Sequence, residues 1–183
     1  MKVTFEKTNQ RRYLVHIQRD RAPALWTYGP GYDDQLPHDL LHFVAEAELG
    51  LDGAIFGDVA AGGNAKSFRP VDKALVAKMW RQKRMRRYVL PEGTRSERLA
   101  GLLEDAWKAQ HTHRPPPADW NDRLAAAGVG DAEVQGLVPK LEELAQRWRK
   151  LPPGGQITLE WPRPEGRKRH PPRKRRPPAT ARR

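Results

Sequence analysis

Apolar and polar positions alternate at the two ends of the chain and follow a helical period between them. Lys2–Lys7 sets Val3 and Phe5 against Lys2, Thr4 and Glu6, a two-residue period that predicts a strand. Residues 12–19 repeat it, with Tyr13, Val15 and Ile17 on one side and Leu14 and His16 on the other, and Asn9-Gln10-Arg11 between the two runs suggests a hairpin. A third short strand is expected over Leu25–Tyr28. Near the other end, residues 156–161 alternate Ile157, Leu159 and Trp161 with Thr158 and Glu160, directly after the breaker Pro152-Pro153-Gly154-Gly155. One-sided alternation implies an antiparallel sheet with a single buried face.

The middle of the chain reads as four or five helices. The first, over residues 37–49, opens with Pro37 and Asp39 and closes at Gly50. A second, over 71–88, is rich in Lys and Arg. A third starts at a capping box, Thr94-x-x-Glu97, and carries Leu99, Leu102, Leu103, Ala106 and Trp107. After Pro115-Pro116-Pro117 come a short helix over 120–127, stopped by Gly128, and a last helix running to residue 150 with Pro139 in its first turn. The expected fold is therefore α+β: a small antiparallel sheet, made of the N-terminal meander and the C-terminal strand, packed by helices on one face. At 183 residues there is room for one domain, placed at 1–162, and no internal repeat is visible.

Charge changes this picture at the C-terminal end. Residues 163–183 hold ten Arg and Lys against Glu165, a net +9, while the other residues carry 24 basic and 21 acidic groups, only +3. Five prolines and the lack of a large apolar residue past Trp161 mean that this segment cannot bury enough surface to offset its ordering entropy, so a disordered basic tail is expected. Its fitting partner is a polyanion: RNA or DNA first, then an acidic protein or an anionic membrane. The chain has no cysteine, which removes thiolate catalysis, disulfides and Cys-based metal sites. It also lacks a long apolar run and a signal-like N-terminus, which points to a cytoplasmic protein.

Chemistry concentrates in the first helix. His38, His42 and Glu46 recur every four residues, about one helical turn, and so share a face. Two imidazoles and a carboxylate suit zinc or another divalent metal. Leu40, Phe43, Val44 and Ala47 form the apolar arc of this helix, so the polar stripe is expected to point away from the core. The Gly/Ala-rich stretch 53–63 reads as a long loop that could line a site, with Asp58 as a further ligand candidate. A solvated polar face would produce the same pattern, so the metal site is one of two readings. His111 and His113 read as a solvated loop, and His16 as structural. Ser67 and Ser96 lie in no nucleophile motif, and no phosphate-binding glycine loop is present.

The stretch His38-Asp39-Leu40-Leu41-His42 resembles the His-Asp-x-x-His zinc motif of the coenzyme Q biosynthesis scaffold family. That pattern is completed by a downstream Glu, and the matching position here is Ala54, so Glu46 or Asp58 would have to serve. It also resembles the His-Glu-x-x-His helix of zinc peptidases, which would make Asp39 the general base, one methylene shorter than the usual Glu. Both likenesses cover five residues. More broadly, Leu36-Pro37-His38-Asp39-Leu40-Leu41-His42-Phe43 and Leu151-Pro152-Pro153-Gly154-Gly155 with the closing strand resemble an uncharacterised group of small bacterial proteins, a likeness that carries no function across.

A second candidate surface is basic. From Lys73 to Leu90 the chain has seven Lys and Arg and no acid, and Lys73, Trp80, Arg84 and Arg87, with Arg81 nearby, are spaced to share a helix face. Such a face could contact phosphates and stack a base, or Trp80 could pack inward while the cations reach solvent. Arg173-Lys174-Arg175-Arg176 in the tail would bind polyanions without sequence preference. Three functions follow as expectations: docking on RNA, DNA or a ribonucleoprotein; metal binding or metal-dependent hydrolysis; and protein interaction through the 53–63 surface.

Overall fold

The computed structural model describes residues 1–8, 12–29, 35–65, 67–77, 90–112 and 115–165. Five antiparallel strands form one sheet in the order β4-β3-β2-β1-β5, with β1 at Lys2–Lys7, β2 at Tyr13–Gln18, β3 at Leu25–Tyr28, β4 at Arg69–Pro70 and β5 at Gln156–Glu160. The C-terminal strand does close on the N-terminal one, pairing Phe5 with Ile157 and Val3 with Leu159. The helices are α1 (His38–Glu48), α2 (Ile55–Ala60), α3 (Gly93–Thr112), α4 (Trp120–Ala127) and α5 (Asp131–Lys150), with a further helical stretch at 73–77. This is the α+β architecture that the alternation implies.

The apolar side of each strand builds the core. Val3, Phe5, Tyr13, Val15, Ile17, Leu25 and Ile157 are buried together beneath α1, α2 and α5, with α3 packed on α1 and α5. Phe43 of α1 sits edge-on to Phe5 at 6.3 Å, to Phe56 of α2 at 5.2 Å and to Trp161 at 5.8 Å. Trp148 of α5 meets Tyr13 edge-on at 6.3 Å. Offset aromatic contacts of this kind add to the area term and fix how the helices sit on the sheet.

Several expectations change, each for a tertiary reason. The Gly/Ala stretch 53–63 is not an open loop: it contains α2, whose Phe56 to Ala60 are buried. Gly57 is required there, because a Cβ would fall 2.5 Å from backbone atoms of Leu51 and Asp52. Pro139 lies in the middle of α5, not in its first turn. The helix starts eight residues earlier, where the Glu133 carboxylate accepts from the Gly130 N–H at 2.8 Å. An interior proline costs about 3 kcal/mol, and here the buried stripe Val134, Val138, Leu141, Leu144, Ala145 and Trp148 outweighs it. Helix α3 begins at Gly93, so Thr94 is already helical and Glu97 is not part of a capping box. His111 is helical too; its Nδ1–H donates to the Trp107 carbonyl and its Nε2 lies 2.8 Å from Glu142.

The packed chain also continues past residue 162. Arg163 stacks over Trp161 at 4.1 Å and donates to the carbonyls of Glu46 and Ala47, each at 2.9 Å, and to Asp52 at 2.6 Å. A guanidinium on the last-turn carbonyls of α1 also complements the negative end of the helix dipole. Glu165 accepts from the N–H groups of Asp20 and Arg21 and pairs with the Met1 ammonium at 2.9 Å. The basic tail therefore starts at residue 166, outside the described residues. Among the described residues no helix is long and apolar enough to cross a membrane.

Gly128 offers a clean check on the backbone. It ends α4 in the left-handed region, φ 63° and ψ 48°, and an added Cβ would meet nothing within 4 Å. Gly128→Ala should therefore cost about 1 kcal/mol from backbone strain alone. Chemical denaturation checks this, and an unchanged midpoint would contradict the strain.

Candidate metal centre

Helix α1 is where sequence and structure differ most. His42 and Glu46, expected to point away from the core into water or a cleft, are 2% and 0% exposed. The apolar arc of α1 does meet the sheet, but α3 and α2 close over its other side, so the polar stripe lies between helices.

Glu46 sits at the start of α2. Its two oxygens accept from the N–H groups of Ile55 at 3.0 Å, Phe56 at 2.7 Å and Gly57 at 3.2 Å, and from the Ser96 hydroxyl at 2.8 Å. It thus satisfies the orphan donors of a helix whose N-cap, Ala54, has no side chain to do so. Burial pushes Glu46 up to about 7, against the pull of these four donors.

The Ser96 oxygen is also 2.8 Å from Nδ1 of His42. A hydroxyl has one proton, and an ionised Glu46 takes it, so Ser96 then accepts from His42 Nδ1–H. This assigns the tautomer and leaves the Nε2 lone pair of His42 pointing the other way. Burial first, and the neighbouring His38 second, lower the His42 pKa to about 4, so the imidazole is neutral near pH 7.

Three donors converge where that lone pair points. Nε2 of His42 is 3.2 Å from Nε2 of His38 and 3.4 Å from Oε2 of Glu97 on α3, and His38 is 4.0 Å from Glu97. All three atoms lie within 4.8 Å of one another. A tetrahedral ion with bonds of about 2.0–2.1 Å needs donor separations of about 3.3 Å, so the three positions fit a zinc-sized ion with little movement. His38 and Glu97 are 42% and 64% exposed, so the open side of the cluster faces solvent.

The other sequence candidates fall elsewhere. Asp39 accepts from the Tyr13 hydroxyl at 3.0 Å and donates its N–H back to the same oxygen at 3.1 Å. It ties α1 to the sheet, and burial raises its pKa above the usual range. Asp58 is buried near Arg19 and accepts from the Ala65 N–H at 2.9 Å, holding the turn after α2. Neither Asp58 nor Glu46 belongs to the converging set. Lys73 is exposed, whereas Trp80, Arg81, Arg84, Arg87, Arg173, Lys174, Arg175 and Arg176 lie outside the described residues.

Sequence reasoning missed Glu97 and Ser96. Both lie some fifty residues from α1, and Glu97 already had an apparent local role as a capping residue. No local spacing could link them; only the packing of α1 on α3 does. No family model matches this chain, and neither a curated protein nor a solved structure matches it significantly.

Proposed function

We propose that this chain binds a divalent transition metal of the zinc class through Nε2 of His38, Nε2 of His42 and the Glu97 carboxylate. One observation carries the reading: the Nε2 lone pair of His42 is aimed at the other two donors by a buried hydrogen-bond chain, His42 Nδ1–H to Ser96 to Glu46. Metal-ligating histidines are held in this way, with the second nitrogen donating to an oxygen that fixes tautomer and ring orientation. Three protein ligands with the remaining position open to solvent is the pattern of catalytic rather than structural zinc. A metal-bound water there would be acidified and available for hydrolysis. Asp39 is engaged with Tyr13 and is not assigned as the general base.

Protein purified without an affinity tag should bind about one zinc per chain in calorimetry. His38→Ala and Glu97→Gln change exposed groups, and should abolish that binding while leaving the circular dichroism spectrum intact. Zinc uptake by either variant equal to that of the unmodified chain would refute the assignment.

Charge supports a second reading, contact with RNA or DNA. Residues 166–183 hold nine Lys and Arg and no acid. Such contact would weaken steeply with salt.

A further inference from the structure

The sheet has a second face. Helices α1, α2 and α5 pack on the side of Val3, Phe5, Val15 and Ile17 through Phe43, Phe56 and Trp148. The opposite side presents a row of aligned residues across all five strands: Thr158, Thr4, His16, Trp26 and Arg69. A second row holds Gln156, Glu6, Leu14 and Tyr28. Trp26 and Tyr28 meet edge-on at 5.3 Å, and Tyr28 is 54% exposed. An aromatic pair open to solvent offers a platform on which bases can stack.

Two strands of this sheet end on the same side and lead into basic sequence. Strand β4 ends at Pro70 opposite Leu25, and β5 ends at Glu160 opposite Lys2, which itself pairs with Gln18. The chain therefore leaves both strands at the same end of the sheet. From β4 it enters the run that begins at Lys73 and has no acid through Leu90. From β5 it passes Glu165, fixed on Met1 and Asp20, into residues 166–183 with their nine cations. The acids on the face are engaged: Glu6 lies 3.3 Å from His16, and Glu160 lies 3.8 Å from Lys2. Asp20 and Asp72 stand at the same end, beside Arg21 and Lys73.

We propose that the open face of the sheet, centred on Trp26 and Tyr28 with Arg69 beside them, binds single-stranded nucleic acid. This rests on the polyanion reading above and adds a surface to it. Bases exposed in a single strand stack on aromatic side chains, whereas paired bases in a duplex cannot reach them. An acidic protein would use the charge but not the aromatic pair.

The test is fluorescence anisotropy of a labelled mixed-sequence single strand and of the matching duplex, titrated with the full chain at low salt. The single strand should bind more tightly than the duplex. Trp26→Ala with Tyr28→Ala should weaken single-strand binding by about tenfold to a hundredfold and leave duplex binding unchanged. Tyr28→Ala alone changes an exposed side chain, and should show part of the loss with the melting temperature intact. Trp26→Phe should restore most of the affinity lost in Trp26→Ala. Removing residues 166–183 should weaken both ligands. If no nucleic acid binds at all, the polyanion reading fails. If both ligands bind but neither responds to Trp26 and Tyr28, only the sheet face is refuted. Tighter binding to polyglutamate than to the single strand would overturn the choice of partner.

Discussion

Replacing Glu46 by alanine is expected to cost the fold on the order of 3–5 kcal/mol, from several buried donors left unpaired at about 1–3 kcal/mol each. The affected groups are the N–H groups of Ile55, Phe56 and Gly57 and the Ser96 hydroxyl. The loss should appear as a lower urea midpoint with metal chelated. A midpoint within experimental error of the unmodified protein would show that α2 does not depend on this carboxylate.

Glu46→Gln is milder and exposes a pH effect. The Glu46 pKa is raised to about 7 from 4.5, so its contribution is complete below 4.5 and is lost as pH rises through 7. His42 acts in the opposite sense. Its pKa is lowered from 6.5 to about 4, so its contribution is complete above 6.5 and is lost as pH falls through 4. Between about 4.5 and 6.5 the two slopes oppose each other in the unmodified chain. Glu46→Gln removes the Glu46 slope and leaves that of His42, so across that window the stability of the variant should rise more with pH than that of the unmodified chain. Metal-free denaturation at a series of pH values reads this directly, and identical profiles for the two proteins would rule it out.

Zinc should raise the stability of the unmodified chain by about 2.7 kcal/mol when its free concentration is a hundred times the Kd, because it binds the folded state only. The melting temperature should rise with added zinc and fall back with a chelator. Ser96→Ala is the sharper probe. It keeps His38, His42 and Glu97, yet removes the group that orients His42, and should weaken zinc binding by about tenfold to a hundredfold. Calorimetry at one pH decides it. Unchanged affinity in Ser96→Ala would mean that the hydrogen-bond chain supports the fold and not the metal.

Local pattern accounts for much of the architecture. The alternation of Val3 with Phe5, of Tyr13 with Val15 and Ile17, and of Ile157 with Leu159 places each strand and its buried side. The burial of Leu99, Leu102, Leu103, Ala106 and Trp107 follows the helical period. These signals are strong because burying one side of an element depends only on residues a few positions apart. Where a residue's local role conflicted with a distant one, the pattern misled: Glu97 matched a capping box, Pro139 matched a helix start, and the glycines of 53–63 matched a loop.

The candidate site divides in the same way. That His38 and His42 share one turn of one helix is a property of the chain alone, set by the helical repeat. That they have a third donor is not, since Glu97 reaches them only because α1 packs on α3. The fate of Glu46 was decided by packing as well. An isolated helix would leave its carboxylate in water, but the fold places an uncapped helix start and a serine against it, so it organises the site from within. Amphipathic period reports which side of an element avoids water; it carries no information about which polar groups another segment brings to the remaining side.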